Sequence, residues 1–215
     1  LLVVVAIMTI LLSLLLPSLG KARDRVRSIT CIGNLRQGML AAASYAGDNN
    51  GHVFLFGGAY SSGQNYRNWA YPLSANKEYM KAGNLLLCNA DSPYKWANDW
   101  NRIYGVDYYT NNGNCPIIRV QTGTFNEWFR QLGRIAKPSA YYLMVDTWSN
   151  GGYQFREAAP YPHTVGFGVA ARHFSRGNCG FFDGHAAGLS PNEFRSLGCQ
   201  SVYVGEKGSY GIKQF

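Results

Sequence analysis

Residues 1–46 read LLVVVAIMTILLSLLLPSLGKARDRVRSITCIGNLRQGMLAAASYA, and this stretch decides the fold. Fourteen of residues 1–16 are apolar, and the two exceptions, Thr9 and Ser13, can hydrogen-bond back to a helical backbone. No charge occurs before Lys21. A spanning helix needs about 20 apolar residues at about 1.5 Å of rise each. Sixteen is slightly short, and a few residues upstream of Leu1 would complete a span. A signal peptide competes for the same pattern. Its basic residues would come first, whereas here Lys21, Arg23, Arg25 and Arg27 follow the apolar run, and no Ala-x-Ala site comes after it.

Beyond Pro17 and Gly20 the pattern becomes amphipathic. Leu19, Ala22, Val26 and Ile29 recur at spacings of three and four, as do Ile32, Leu35, Met39 and Ala42. That is one apolar stripe on a helix. It stops at Gly47-Asp48-Asn49-Asn50-Gly51, a turn-forming run. The reading is therefore one helix over residues 1–46, about 70 Å long. Pro17 lacks a backbone donor and crowds the preceding turn, so a kink or local melting is expected around Pro17 to Gly20.

Composition bounds the rest. The chain has 215 residues, 47% hydrophobic and only 15% charged, which excludes a solvating disordered polymer. With 25 Gly, 15 Tyr and 11 Phe, it is expected to be loop-rich β structure beyond the helix. The net charge is +8. Residues 1–50 carry five Lys+Arg against two Asp+Glu, and the remainder fifteen against ten. The excess in the second part is diffuse, and the cluster at 21–27 adjoins the apolar run where lipid headgroups would lie. Nucleic acid is accordingly not expected as a partner.

An uninterrupted apolar helix, a proline, a short basic cluster and then an amphipathic half resemble the bacterial type IV pilins and the type II secretion pseudopilins. Leu1-Leu2-Val3-Val4-Val5-Ala6-Ile7 is similar to the middle of their N-terminal signature. The resemblance continues through Leu14 to Arg23, Cys31, Asn34-Leu35-Arg36-Gln37, Tyr45-Ala46 and Asp48-Asn49. It implies about five further residues before Leu1, among them the family's glutamate. It also implies that Leu1, Val5, Ile7, Leu11 and Leu15 lie in a filament core, with Pro17 and Gly20 permitting local unwinding on packing.

The C-terminal part resembles a narrower prepilin-like branch marked by a His, nine residues, then Asp-Gly. Here His173 precedes FSRGNCGFF and Asp183-Gly184, with His185 next. Leu87-Cys88-Asn89-Ala90-Asp91 and Lys137-Pro138-Ser139 are weaker echoes. The resemblance implies an α+β fold: a long N-terminal helix, its apolar half protruding, packed on a loop-rich head with a small antiparallel sheet. Three parts follow: 1–23 the apolar helix half, 24–50 the amphipathic half, and 51–215 the head.

Within the head, residues 52–57 are β-like, 58–68 a loop, 69–80 a short helix and 89–126 mostly loop. Tyr141 to Asp146 is the clearest core strand, 191–197 a short helix and 202–204 a last strand. Arg172 to Leu189 is expected to be an antiparallel meander. Its first turn would fall at Ser175 to Asn178, and a two-residue turn at Asp183-Gly184. Phe181 and Phe182 would face opposite ways, one into the core and one toward a neighbouring subunit.

Five cysteines occur, Cys31 on the helix and Cys88, Cys115, Cys179 and Cys199 in the head. Four can pair three ways. The expected disulfides join sequence neighbours, Cys88 with Cys115 and Cys179 with Cys199, with buried thiols as the alternative. His173, Asp183 and His185 are the available cluster for catalysis or a divalent ion. The simpler reading makes Asp183 a turn residue and His173 a brace for that turn, so no metal is expected there. Calcium is a weaker option through Asp91, Asp99 and Asp107, none in calcium-loop spacing. His52 and His163 lack acidic neighbours, and no Gly-x-Ser-x-Gly, phosphate loop or HExxH occurs, so no enzyme is expected. Tyr94, Trp96, Trp100 and Tyr104 suit sugar stacking, a place in the core or subunit contacts, and the last is the expectation.

The resemblance implies a structural subunit of a type IV pilus-like filament, bound to copies of itself. Before assembly it would sit in the inner membrane and meet a prepilin peptidase and the assembly machinery. The alternatives are a type II secretion pseudopilin and a membrane-anchored ligand-binding module that never polymerises.

Overall fold

The apolar run and the amphipathic stripe form a single helix, α1, Leu2–Asp48. The structure is a computed structural model describing residues 2–59, 67–74, 79–81, 83–90, 102–107, 114–122, 125–149, 154–159, 166–206 and 209–215. The helix is unbroken through Pro17, so the local melting expected at Pro17 to Gly20 does not occur. Helix geometry is retained on both sides of the missing donor. Thr9 and Ser13 donate their hydroxyls to the Ala6 and Ile10 carbonyls at 2.8 and 2.7 Å, which hides both polar groups along the backbone. Ser18 does the same to Leu15 at 2.8 Å.

The described strands form three four-stranded sheets. The first has the order β2 (Arg67–Asn68), β1 (His52–Ala59), β5 (Phe125–Gln131), β4 (Ile117–Thr122). The second has β10 (Ala186–Leu189), β9 (Gly177–Phe181), β6 (Tyr142–Val145), β3 (Gly105–Val106). The third has β12 (Ser209–Gln214), β11 (Ser201–Glu206), β8 (Phe167–Ala171), β7 (Thr147–Ser149). Every pairing is antiparallel except β8 with β11. The class is α+β, as expected, with small antiparallel sheets. The strands are more numerous than the sequence suggests. The β4–β5 hairpin lies partly in the stretch read as loop, and β12 follows the strand read as last. Two short α-helices, α2, Ala70–Ser74, and α3, Pro191–Ser196, and three single 3-10 turns complete the described elements.

The stripe on α1 is buried in its second half only. Cys31, Leu35, Gly38, Met39, Ala41, Ala42 and Ala46 are buried, whereas Val26 and Ile29 are 62% and 63% exposed. Helix α1 lies on β9, β10 and β6. At Gly180 of β9 an added Cβ would stand 2.7 Å from Met39 Cγ, so a glycine lets helix and strand touch. Around this contact Leu35, Met39, Leu55, Trp69, Leu86, Ile103, Tyr104 and Leu143 form one core. A second core gathers Val145, Val169, Phe181, Phe194 and Val202 between the second and third sheets. Tyr104, expected at a subunit contact, is in the first core at 1% exposure. Tyr94, Trp96 and Trp100 lie outside the described residues.

Residues 172–189 depart from a simple meander. The chain reverses at Phe174-Ser175, both with positive φ (48° and 59°), and His173 and Arg176 exchange backbone hydrogen bonds at 2.8 Å each way. Two positive-φ residues define a type I′ turn, which usually takes Asn-Gly, so the sequence hid it. The strands it joins enter different sheets. The second turn has a three-residue loop: Gly184 N–H donates to Phe181 C=O, and Phe181 N–H to His185 C=O, both at 2.8 Å. Gly184 supplies the left-handed position at φ 91°, and Asp183 accepts from His185 N–H at 3.1 Å. Phe181 and Phe182 are both buried, in the two different cores, which leaves neither for a neighbour.

Helix α3 begins with a complete capping box. Ser190 accepts from Glu193 N–H, and the Glu193 carboxylate accepts from Ser190 N–H at 2.7 Å. The Ser190 bonds, side chain first, hold the Glu193 carboxyl below its usual range. Ser190→Ala is expected to lower stability by about 1 kcal/mol, the usual worth of an N-cap. Thermal unfolding at pH 7 measures it. The cap's contribution is present above the ordinary Glu pKa and fades as pH falls through the lowered one. An unchanged midpoint in Ser190→Ala would show that the cap adds nothing.

Candidate functional site

Two places in the molecule are unusual for a globular protein. One is the free half of α1. Every described residue from 2 to 23 is exposed. The large side chains among Leu2, Val3, Val4, Val5, Ile7, Met8, Ile10, Leu11, Leu12, Leu14, Leu15, Leu16 and Leu19 are all more than half exposed. At roughly 1.5 kcal/mol for each such side chain, moving this surface out of water is worth on the order of 20 kcal/mol. The helix is long and apolar enough to cross a membrane. Val5, Ile7, Leu11, Leu15, Pro17 and Gly20 all lie on this free half and are exposed.

The second place is a buried polar cluster under α1. Cys31 points from the helix into the head, where its Sγ is 3.4 Å from Cys88 Sγ. Cys88 follows the single turn of 3-10 helix at Asn84–Leu86. Its Sγ is 3.2 Å from His173 Nε2. His173 Nε2 in turn lies 3.4 Å from Asp146 Oδ2. Asp146 occupies the single position between β6 and β7, where the chain passes from the second sheet to the third. Its N–H donates to Asn178 C=O at 2.8 Å, and its own C=O accepts from Ala170 N–H at 2.9 Å. The four side chains are 0% to 5% exposed.

Burial sets the electrostatics of this cluster. Loss of water pushes the Cys88 thiol up to about 12, and the Cys31 sulfur adds to the rise. Burial and then the Cys88 sulfur hold the Asp146 carboxyl well above its usual range. Burial alone would depress His173, yet the Cys88 sulfur and the Asp146 carboxylate raise it. Asp146 Oδ2 accepts from Asn178 N–H at 2.8 Å. Its second oxygen, Oδ1, is buried without a hydrogen-bond partner, a costly arrangement for a carboxyl group.

His173 thus lies in this buried cluster and not at the turn it was expected to brace. It does not reach the Asp183-Gly184 turn, from which the length of β9 separates it, about 17 Å by strand rise. Asp183 and His185 sit together on the exposed turn, 2.5 Å apart, with the His185 ring stacked on Phe181. The expected trio of His173, Asp183 and His185 is thus split.

The expected disulfides are not made. All five cysteines are buried thiols. Cys88 meets Cys31 and not Cys115, whose sulfur accepts from Arg130 Nη1 at 2.9 Å. Cys199 lies 3.5 Å from the Tyr142 hydroxyl, and Cys179 donates to Ala187 C=O at 3.5 Å. Of the calcium candidates, Asp107 is buried beside Arg130 at 3.8 Å, and Asp91 and Asp99 lie outside the described residues. No family model, curated protein or solved structure matches this chain. Its function is therefore argued from its own residues.

Sequence reasoning reached Cys88 and His173 but assigned them to different sites. It missed Cys31 and Asp146 as members of one cluster. Asp146 ended the clearest core strand, and a carboxylate at such a place was the available signal.

Proposed function

We propose that this chain is a structural subunit of a type IV pilus-like filament, polymerising through α1. The observation that carries the proposal is the fully exposed apolar helix half attached to a folded head. A membrane covers that surface before assembly, and the apolar halves of neighbouring copies cover it in a filament. Lys21, Arg23, Arg25 and Arg27 lie just past the apolar run, in reach of lipid headgroups. On this reading the partners are other copies of the chain, a prepilin peptidase and the inner-membrane assembly machinery, and the head has no catalytic task.

The head carries a companion surface. A groove of about 730 Å³ runs between α1 and the type I′ turn, lined by Ala22, Arg25, Ile29, Phe174 and Arg176 among others. Phe174 keeps 49% of its surface exposed while its backbone is left-handed, which costs a bulky residue about 1 kcal/mol. An exposed aromatic ring held at a backbone cost suits a contact, here with the apolar helix of a second copy. Phe174→Gly removes the ring and relieves the backbone. The expected outcome is a thermal midpoint equal to or above wild type, with filament yield reduced several-fold. Wild-type filament yield would remove the groove from the assembly surface.

Electron microscopy of the producing cells tests the proposal itself. Filaments decorated by antibody to this chain support it. Membrane-bound chain without filaments, combined with lost protein secretion in a deletion strain, points to the pseudopilin reading. Membrane-bound chain with neither effect leaves the anchored module.

A further inference from the structure

We propose that Cys31, Cys88, His173 and Asp146 bind a zinc ion that fastens α1 to the head. The proposal goes beyond the filament reading and does not depend on it.

Cys31, Cys88 and His173 each offer one ligand atom, and the three atoms all lie within 4.8 Å of one another. A tetrahedral zinc site with bonds of about 2.0–2.3 Å places its ligand atoms about 3.3–3.8 Å apart. Three of the six separations that four ligands define are close to this: 3.4 Å for Cys31 to Cys88, 3.2 Å, slightly short, for Cys88 to His173, and 3.4 Å for His173 to Asp146. Two sulfurs with an imidazole suit zinc and exclude calcium or magnesium, which take oxygen. Asp146 Oδ2 stands 3.4 Å from His173 Nε2, its Oδ1 is buried without a hydrogen-bond partner, and a turn of this carboxyl toward the three-atom group supplies the fourth ligand. A closed set of four protein ligands is structural and leaves no position for catalytic water.

The surroundings complete the site. Asn178 N–H fixes the Asp146 carboxylate, and Asn89 N–H donates to Cys31 Sγ at 3.4 Å. Such outer contacts orient the ligands of metal sites. Binding Zn²⁺ releases the two thiol protons to solvent, together with any proton on Asp146. The ion with two thiolates and one carboxylate carries a net charge of −1, and the Arg172 guanidinium, adjacent in sequence to His173, offsets it. The ligands come from the helix, the segment after the 3-10 turn, the junction of two sheets and the type I′ turn. They span sequence separations of 57 and 85 residues. One ion therefore closes the joint where the protruding helix meets the head.

The test uses the full chain, purified in detergent micelles without chelators or metal-affinity resin. Elemental analysis is expected to find about one equivalent of zinc per chain. Cobalt(II) exchanged into the same protein is expected to give a thiolate-to-cobalt charge-transfer band with the intense visible bands of tetrahedral coordination. Cys31→Ser and His173→Gln are expected to lose both signals, and Asp146→Asn to weaken zinc by more than the roughly 10-fold that loss of an outer contact costs. The wild-type measurements stand even where a variant fails to fold. Less than a tenth of an equivalent of metal, with no cobalt–thiolate band after reduction, would overturn the proposal. So would a Cys31–Cys88 cross-linked peptide as the majority form, or zinc retained in Cys31→Ser.

Discussion

Leu11→Asp is expected to abolish filaments while leaving the head folded. Leu11 lies near the middle of the exposed apolar half, and its side chain is 55% exposed. A carboxylate at the centre of a membrane helix costs about 2.5–3.5 kcal/mol by insertion measurements. In a filament the same group would be buried between apolar helices with no cation beside it, and the penalty would recur in every subunit. The expected result is a filament count below a tenth of wild type and a reduced membrane-bound fraction. The thermal midpoint of the head stays within error, because residue 11 packs against nothing in the subunit. Electron microscopy and fractionation read the first two, and near-ultraviolet circular dichroism in micelles reads the third. Wild-type filament numbers would refute assembly through this helix half.

Leu35→Ala is expected to be the most damaging single truncation on α1. Leu35 is fully buried where the helix crosses β9, in the core that also holds Met39, Leu55 and Leu143. Removing a buried leucine to Cβ costs about 2–5 kcal/mol, the transfer loss plus the cavity left behind. Leu40 lies five residues further on and is 65% exposed. The substitution Leu40→Ala is accordingly expected to change stability by less than about 0.5 kcal/mol. The pair separates packing from helix propensity, since both replace leucine by alanine in the same helix. Denaturant unfolding of the full chain in micelles measures both. Equal effects would mean that α1 does not dock through the Leu35 face.

Particular elements show what the chain states locally. The run from Leu1 to Leu16 and the turn at Gly47 to Gly51 bracket a helix whose backbone bonds are all internal, so no distant partner is needed to foresee it. The Tyr142–Val145 strand shows in its own apolar run, and α3 in Ser190, Pro191 and Glu193, which form a start signal within four residues. Pro17 misled because a missing donor and a crowded turn were taken to break a helix that tolerates both. The β4–β5 hairpin escaped because a paired strand gains its hydrogen bonds from the neighbour, and its own composition says little.

The candidate site was legible only in pieces. Cys88 and His173 were visible as residue types, but His173 was grouped with Asp183 by closeness in sequence. The strand between them carries Asp183 to the far end of β9 and turns His173 inward. The cysteine pairing failed for the same reason. Sequence neighbours close short loops, whereas Cys88 meets Cys31 across 57 residues because α1 lies over the strands.

The sequence by itself determined the long helix, its apolar half, the basic cluster behind it and the α+β class. Those features follow from spacings of two, three and four residues, which the backbone geometry of helix and strand imposes locally. The tertiary structure alone decided which face of α1 is buried, where the chain turns at Phe174-Ser175, and that Cys31, Cys88, Asp146 and His173 meet. Each of these depends on how a helix and three sheets stack, and burial energy summed over the whole core, not any local preference, selects that stacking.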